Sequence, residues 1–253
     1  MIAQYRKLAA LVSGVKNPLP AVLDGLGMGR TPYTMRLRTG DVVELRPGAG
    51  DLFGFYEIML RRDYFASGQK LEAGNTVVDV GANIGCFTVL ASKLVGPRGR
   101  VIAIEPEQST YRQLLRNIAL NKLSNVTPLN LAIGGSVGVI TLHSDSNRLF
   151  SSIFSSVNGR AVEGTDQNVR MITLESLMIE HHIIRCDYLK LDCEGAEHEI
   201  IAGMSQTTAD GIAQITMEVH KVPGSDAQLL KDRLHALGYS RIGTSTLPFY
   251  ARE

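Results

Sequence analysis

Residues 77–94 read VVDVGANIGCFTVLASKL, a stretch that begins as a buried strand and ends as an amphipathic helix. Asp79, Gly81, Asn83 and Gly85 crowd into the turn between the two. A strand that passes through a glycine turn into a helix obliges that helix to pack back on the strand's own sheet, which predicts an α/β architecture. The alternation continues from residue 76 onward. Strands are expected at 77–81, 101–105, 126–131, 188–192 and 215–219, and helices at 84–94, 107–121, 196–204 and 226–237. The runs VVDV, VIAI and YLKL are apolar on both faces, as strands covered by helices on either side should be. The expected fold is a doubly wound α/β sheet.

Two departures from simple alternation stand out. VGVITLH and VRMITL predict extra strands between the third and fourth core strands, flanking a polar, serine-rich stretch. The C-terminal YSRIGTSTLPFYARE predicts two strands joined by a tight turn, with an antiparallel last pair. Residues 1–70 differ in texture, so the organisation expected is an N-terminal extension over 1–70 and one main domain over 71–253. Within the extension, MIAQYRKLAALVSGVKNPLP predicts an amphipathic helix that packs on the domain or on a partner subunit, which leaves a homodimer open. YTMRLRTGDVVELRP predicts a hairpin around Thr39-Gly40-Asp41, and FGFYEIMLRRDYFASG a helix ending at Gly68.

Composition narrows the function. At 253 residues and 44% hydrophobic, the chain can bury a full core. A net charge of +1, from 26 basic and 25 acidic residues, leaves no electrostatic footprint for nucleic acid or an anionic membrane. The N-terminal apolar run is expected to be too short to span a bilayer and, read as a signal peptide, lacks a convincing small-residue cleavage site. Cys86, Cys186 and Cys193 have no zinc-ligand spacing and are odd in number, which points to a reducing, cytoplasmic location.

A glycine-rich turn of this kind brings backbone N–H groups close to a ligand. The pyrophosphate fingerprint is G-x-G-x-x-G, whereas here Asn83 stands where the middle glycine would be. Asp79 lies inside the strand, where it would repel a pyrophosphate and attract a cation. S-adenosylmethionine, with an ammonium, a sulfonium and no phosphate, fits that chemistry better than NAD. Glu105 ends the next strand, where a carboxylate can accept hydrogen bonds from both ribose hydroxyls. The candidate cofactor-binding residues are Asp79, Gly81, Asn83, Gly85, Glu105, Pro106, Ala132 and Asp192.

The segments VVDVGANIGCFTVLASKLVGPRGRVIAIEP, LLRNIALNKLSNV and YLKLDCEGAEHEIIAGM resemble the FkbM family of S-adenosylmethionine-dependent methyltransferases, from about residue 70 to 220. The resemblance implies the Rossmann-like class I methyltransferase fold, with a seven-stranded, mostly parallel sheet and an antiparallel last strand. It also implies O-methylation of a hydroxyl on a sugar, glycan or secondary metabolite.

The reacting centre of an open α/β sheet lies beyond the carboxyl ends of its strands. There YLKLDCEGAE places Asp192 and Glu194, and ITMEVH places Glu218 and His220. Residues two apart on a strand point the same way, so each pair can face one crevice. Asp192, Glu218 and His220 are the candidate catalytic residues. A hydroxyl needs either a positioned base, with His220 the leading candidate, or a divalent cation such as Mg²⁺ held by Asp192, Glu218 and Glu194. The metal-free version is preferred, because a third carboxylate is not obvious and Glu194 can be committed to the helix end, in capping-box spacing with Glu197.

Other residues have weaker claims. His198 can pair with Glu194, and His143 can touch substrate or solvent. Cys86 and Cys193 are read as packing residues. The loop over 144–158, with Phe150 and Phe154, is either a substrate lid or a surface insertion. No NPPY-type tetrapeptide is present, which with the charge balance argues against a nucleic-acid substrate. An NAD-dependent oxidoreductase and a non-catalytic assembly partner that retains the cofactor fold remain the alternatives.

Overall fold

The computed structural model describes residues 9–65, 68–145, 151–152, 154, 156–158, 160–161, 164–244 and 247–252. Residues 9–14 are helical. They are followed by α1 (Leu19–Gly25), the strands β1 (Tyr33–Arg36) and β2 (Val42–Leu45), and α2 (Asp51–Phe55). β1 and β2 form the expected antiparallel hairpin, with Tyr33 opposite Leu45. Gly40, at φ +103°, turns the chain between them.

The helix expected up to Gly68 ends earlier. From α2 the chain enters a π-helical stretch over Tyr56–Arg61, and Arg62 at φ 58° stops it. A left-handed residue cannot continue a right-handed helix. The helical periodicity of FGFYEIML is real, but it carries no mark of the break at Arg62.

The main sheet begins with β3 (Thr76–Val80), α3 (Cys86–Val95), β4 (Arg100–Ile104), α4 (Gln108–Leu120) and β5 (Val126–Leu129). An added sheet intervenes, with β6 (Ala132–Ile133), β7 (Gly138–Asp145) and β8 (Gly164–Ile172), before α5 (Leu174–Glu180) and β9 (Tyr188–Leu191). The chain closes with α6 (Glu197–Gly203), α7 (Gln206–Asp210), β10 (Gln214–Met217), α8 (Ala227–Ala236), β11 (Ser240–Ile242) and β12 (Phe249–Ala251). Among the described residues the main sheet has seven strands in the order β11-β12-β10-β9-β3-β4-β5. β12 is antiparallel to both of its neighbours, and β10, β9, β3, β4 and β5 are mutually parallel. The expected α/β fold with an antiparallel last strand is therefore present. The turn expected before β12 includes residues 245–246, outside the described residues.

β9 is buried along its whole length, as a central strand covered on both faces must be. The two extra strands also form: β7 runs antiparallel to β8, and β8 runs parallel to β6. α3 is buried on most of its circumference because two layers enclose it. On one side it meets Val77, Val101 and Tyr188 of the sheet. On the other, Ile84, Cys86, Val89 and Leu90 share a core with Leu11, Val15, Met35, Val43, Leu45 and Phe55. Asn117 of α4 reinforces that contact by accepting from the Glu44 N–H at 2.7 Å. No helix among the described residues is long and apolar enough to cross a membrane.

Candidate active site

The glycine turn is shaped first by close packing. Gly81 takes φ +75°, and a methyl group there would collide with the carbonyl oxygen of Asp192, where β9 ends beside β3. Gly85, at φ +92°, lies where a Cβ would come within 2.6 Å of the Leu114 side chain on α4. Asn83 sits between them in the left-handed region at φ 49°, a conformation that asparagine tolerates. Its Oδ1 accepts from the Ile84 N–H at 2.7 Å, and its own N–H donates to Glu105 Oε2 at 2.9 Å.

Glu105 thus braces the turn from the next strand tip. Its other oxygen accepts from the Glu107 N–H at 2.9 Å. Burial pushes its carboxyl up to about 7, against the lowering effect of these two N–H donors. Each oxygen accepts one hydrogen bond and keeps a lone pair, so ribose hydroxyls can still be received. Pro106 is joined to the added sheet through its carbonyl, which accepts from Gln167 Nε2 at 2.8 Å and from Asn130 Nδ2 at 2.9 Å. Ala132 is buried and opposes Met171 in that sheet.

Asp79, expected to attract a cation, has one beside it. Its carboxylate is fully buried, accepts from Thr88 Oγ1 at 2.6 Å and lies 3.1 Å from the ammonium of Lys190. Its charge is therefore met by a cation inside the protein. Lys190 is 1% exposed, donates to the Gly81 carbonyl at 2.9 Å, and also lies 3.6 Å from Asp192 Oδ2. Burial would lower the Lys190 pKa, but Asp79 and then Asp192 raise it by more, so it stays charged. Its Nζ lies 5.4 Å from the ring centroid of Tyr64 and 5.8 Å from that of Phe87, which gives it cation–π partners as well.

The sequence signal for Lys190 is a lysine inside the apolar run YLKL, two residues before an acid. Tyr64 had no such signal. Its hydroxyl donates to Asp192 Oδ2 at 2.6 Å. Burial raises the Asp192 carboxyl, but Lys190, His220 and Tyr64 together hold it below its ordinary value.

Asp192, Glu218 and His220 do converge. One ligand atom from each lies within 4.8 Å of the other two, beyond the ends of the adjacent strands β9 and β10. Glu218 lies just past β10 and is exposed rather than enclosed in an apolar strand. Its carboxyl is raised by burial of part of the side chain and then by Asp192. Glu194 also approaches, with its Oε2 3.4 Å from His220 Nε2, so a third carboxylate stands at close range after all. Burial pushes Glu194 up to about 7.

His220 is 4% exposed, and its Nδ1 lies 3.1 Å from Glu197 Oε1. Burial would lower its pKa, but Glu197, Glu194 and Asp192 raise it to about 10. Held protonated by these acids, the ring is poorly suited to act as a free general base near neutral pH. Glu197, which sequence spacing marks only as half of a capping box, is fully buried and central to the site. It accepts from the Cys193 N–H at 2.7 Å and the Gly195 N–H at 2.9 Å while holding the His220 ring.

His198 bonds the His220 carbonyl at 2.8 Å rather than pairing with Glu194. His143 lies 2.8 Å from Asp166 across β7 and β8. Burial raises the thiols of Cys86 and Cys193, in keeping with packing roles. Of the stretch 144–158, Phe150 is outside the described residues. Ser152 donates to the Glu194 carbonyl at 2.6 Å, and the Phe154 ring packs against Gly195, where a Cβ would come within 3.0 Å of it. This insertion therefore touches the loop that carries the acid cluster.

Residues 79–241 match the Methyltransferase FkbM domain family. Among curated proteins, Methyltransferase sdnD of Sordaria araneosa is 28% identical over 197 residues, covering 65% of this chain and 74% of that protein. The 31-O-demethyl-FK506 methyltransferase FkbM of Streptomyces tacrolimicus is 26% identical over 219 residues, covering 76% and 83%. Among solved structures, Aeropyrum pernix fibrillarin with natively bound S-adenosyl-L-methionine aligns with a TM-score of 0.46 at 13% identity, over 88% of this chain and 94% of that one. The family match spans β3 through β11 and takes in the glycine turn, the Glu105 brace and the acid cluster, so the chain belongs to the FkbM family of S-adenosylmethionine-dependent methyltransferases.

Proposed function

We propose that the protein transfers the methyl group of S-adenosylmethionine to a hydroxyl oxygen of a small molecule or glycan. The observation that carries this reading is the meeting of Asp192, Glu218, Glu194 and His220 beyond the ends of β9 and β10. In the displacement the oxygen attacks the methyl carbon, the sulfur keeps the C–S electron pair, and the hydroxyl proton must leave. A carboxylate whose pKa lies near neutrality is suited to take that proton. Glu194, at about 7, is that group, and the His220 imidazolium orients it. The family resemblance to O-methylating enzymes supports the choice of oxygen as acceptor.

A second reading keeps the same residues and puts a divalent cation in place of the His220 Nε2 proton, held by Asp192, Glu218 and His220. It is favoured by Glu197, which holds Nδ1 and leaves Nε2 facing the carboxylates, the arrangement seen for metal-ligating histidines. The cation would acidify the acceptor hydroxyl.

Calorimetry with S-adenosylhomocysteine and with NAD tests the cofactor, and tight binding of NAD alone would overturn the proposal. Incubation with labelled S-adenosylmethionine and a panel of hydroxylated acceptors, read by mass spectrometry, tests the transfer. Methyl found on nitrogen or carbon would refute O-methylation. Cofactor binding with no transfer to any acceptor would favour a non-catalytic role. Activity lost in chelator and restored by Mg²⁺ or Mn²⁺ would select the second reading.

A further inference from the structure

A cavity of about 510 Å³ lies away from the acid cluster, between the N-terminal hairpin and α4. Arg30, Arg46, Ser109, Arg112 and Arg116 line it, and no acidic side chain does. Two of the arginines are already compensated. Arg46 is clasped by Asp51 at 2.9 Å through both Nε and Nη2 and donates from Nη1 to Thr110 at 3.0 Å, which leaves two of its N–H groups uncommitted among the described residues. Arg116 faces Glu44 at 3.5 Å across an exposed surface. Arg30 and Arg112 have no ion-pair partner among the described residues. Arg112 and Arg116 stand at i and i+4 on one helix face, where like charges repel. The first turn of α4 supplies no free donors, because Glu107 accepts from the Ser109 and Thr110 N–H groups at 3.0 and 2.6 Å. What the cavity offers is guanidinium groups from both of its walls.

We propose that this cavity binds a pyrophosphate group carried by a small molecule. A carboxylate has two oxygens and one charge, too few to answer guanidinium groups from separate segments of the chain. A pyrophosphate presents several oxygens and at least two charges, which suits paired forks. The proposal rests on the cavity alone and stands or falls independently of the acceptor assigned to methyl transfer.

The test is calorimetry of the full chain with inorganic pyrophosphate, alongside inorganic phosphate and a single-stranded oligonucleotide. Pyrophosphate should bind more tightly than phosphate. Arg112→Ala and Arg30→Ala, both at exposed positions, should each weaken it by about tenfold or more, the loss of one charge-assisted contact. Arg98→Ala, outside the cavity, should change nothing, and S-adenosylhomocysteine affinity should be the same in all variants. Absence of pyrophosphate binding to the wild type, equal binding by Arg112→Ala, or binding of the oligonucleotide in its place would overturn the proposal.

Discussion

Glu197→Gln tests whether Glu197 holds His220 in place and charged within the acid cluster. The wild-type carboxylate accepts three times: from the Cys193 and Gly195 N–H groups and from His220 Nδ1–H. The amide has the same shape but only one acceptor oxygen. Turned one way, its NH₂ confronts the Gly195 N–H; turned the other, it confronts both Cys193 and His220. At least one buried donor is then left unsatisfied, at about 1–3 kcal/mol. The ion pair with His220 is lost as well, and we expect a total of about 2–4 kcal/mol near pH 6.

The pH dependence sharpens the test. His220 is raised from 6.5 unfolded to about 10 folded. Its protonation therefore stabilises the fold fully below 6.5, and that stabilisation is lost as pH rises through about 10. The cost of Glu197→Gln should shrink across that window towards the unsatisfied-donor contribution alone. Urea unfolding of both proteins between about pH 6 and pH 10 measures it. NMR titration should show the His220 pKa falling in the variant. A stability change below about 0.5 kcal/mol, or one flat across the window, would refute the reasoning.

Further outcomes follow from the same contacts. Gly81→Ala should abolish or nearly abolish stable folding, since the left-handed backbone alone costs about 1–2 kcal/mol and the methyl also collides with Asp192; a thermal melt within a few degrees of wild type would contradict it. Asp79→Asn should cost about 3–5 kcal/mol by leaving the Lys190 ammonium short of a counter-charge, and Asp79→Asn combined with Lys190→Met should recover part of that loss in the same melts. If Glu105 receives the ribose hydroxyls, Glu105→Gln should weaken S-adenosylhomocysteine binding in calorimetry by about tenfold or more. If Glu194 takes the proton, the rate should rise with pH through about 7, and Glu194→Gln should remove that rise.

What could be read from the chain alone was local. VVDV, VIAI and YLKL announce central strands because burial on both faces leaves no polar alternation, and all three lie in the main sheet. The meeting of Asp192, Glu218 and His220 was legible because two neighbouring strands end together. Their charge states were not. The protonation of His220 depends on Glu197 and Glu194, held by the loop and helix after β9, and the burial of Asp79 depends on a lysine far along the chain. The arginine cavity draws its residues from three separate segments, none of which carries a basic run.

The bond from Lys190 Nζ to the Gly81 carbonyl joins residues 109 apart in sequence. The N-terminal hairpin, by contrast, finds its packing partners on α3 and α4, which follow it more closely in the chain. At synthesis rates of about 5–20 residues per second, on the order of 5–20 s separate the emergence of the glycine turn from that of the strand that completes it. During that interval Asp79 has no ammonium beside it, and the backbone of Gly81 has nothing to press against. Competence to bind the cofactor is therefore a late acquisition of the nascent chain, and refolding experiments should see the hairpin layer protected from hydrogen exchange before the turn it covers.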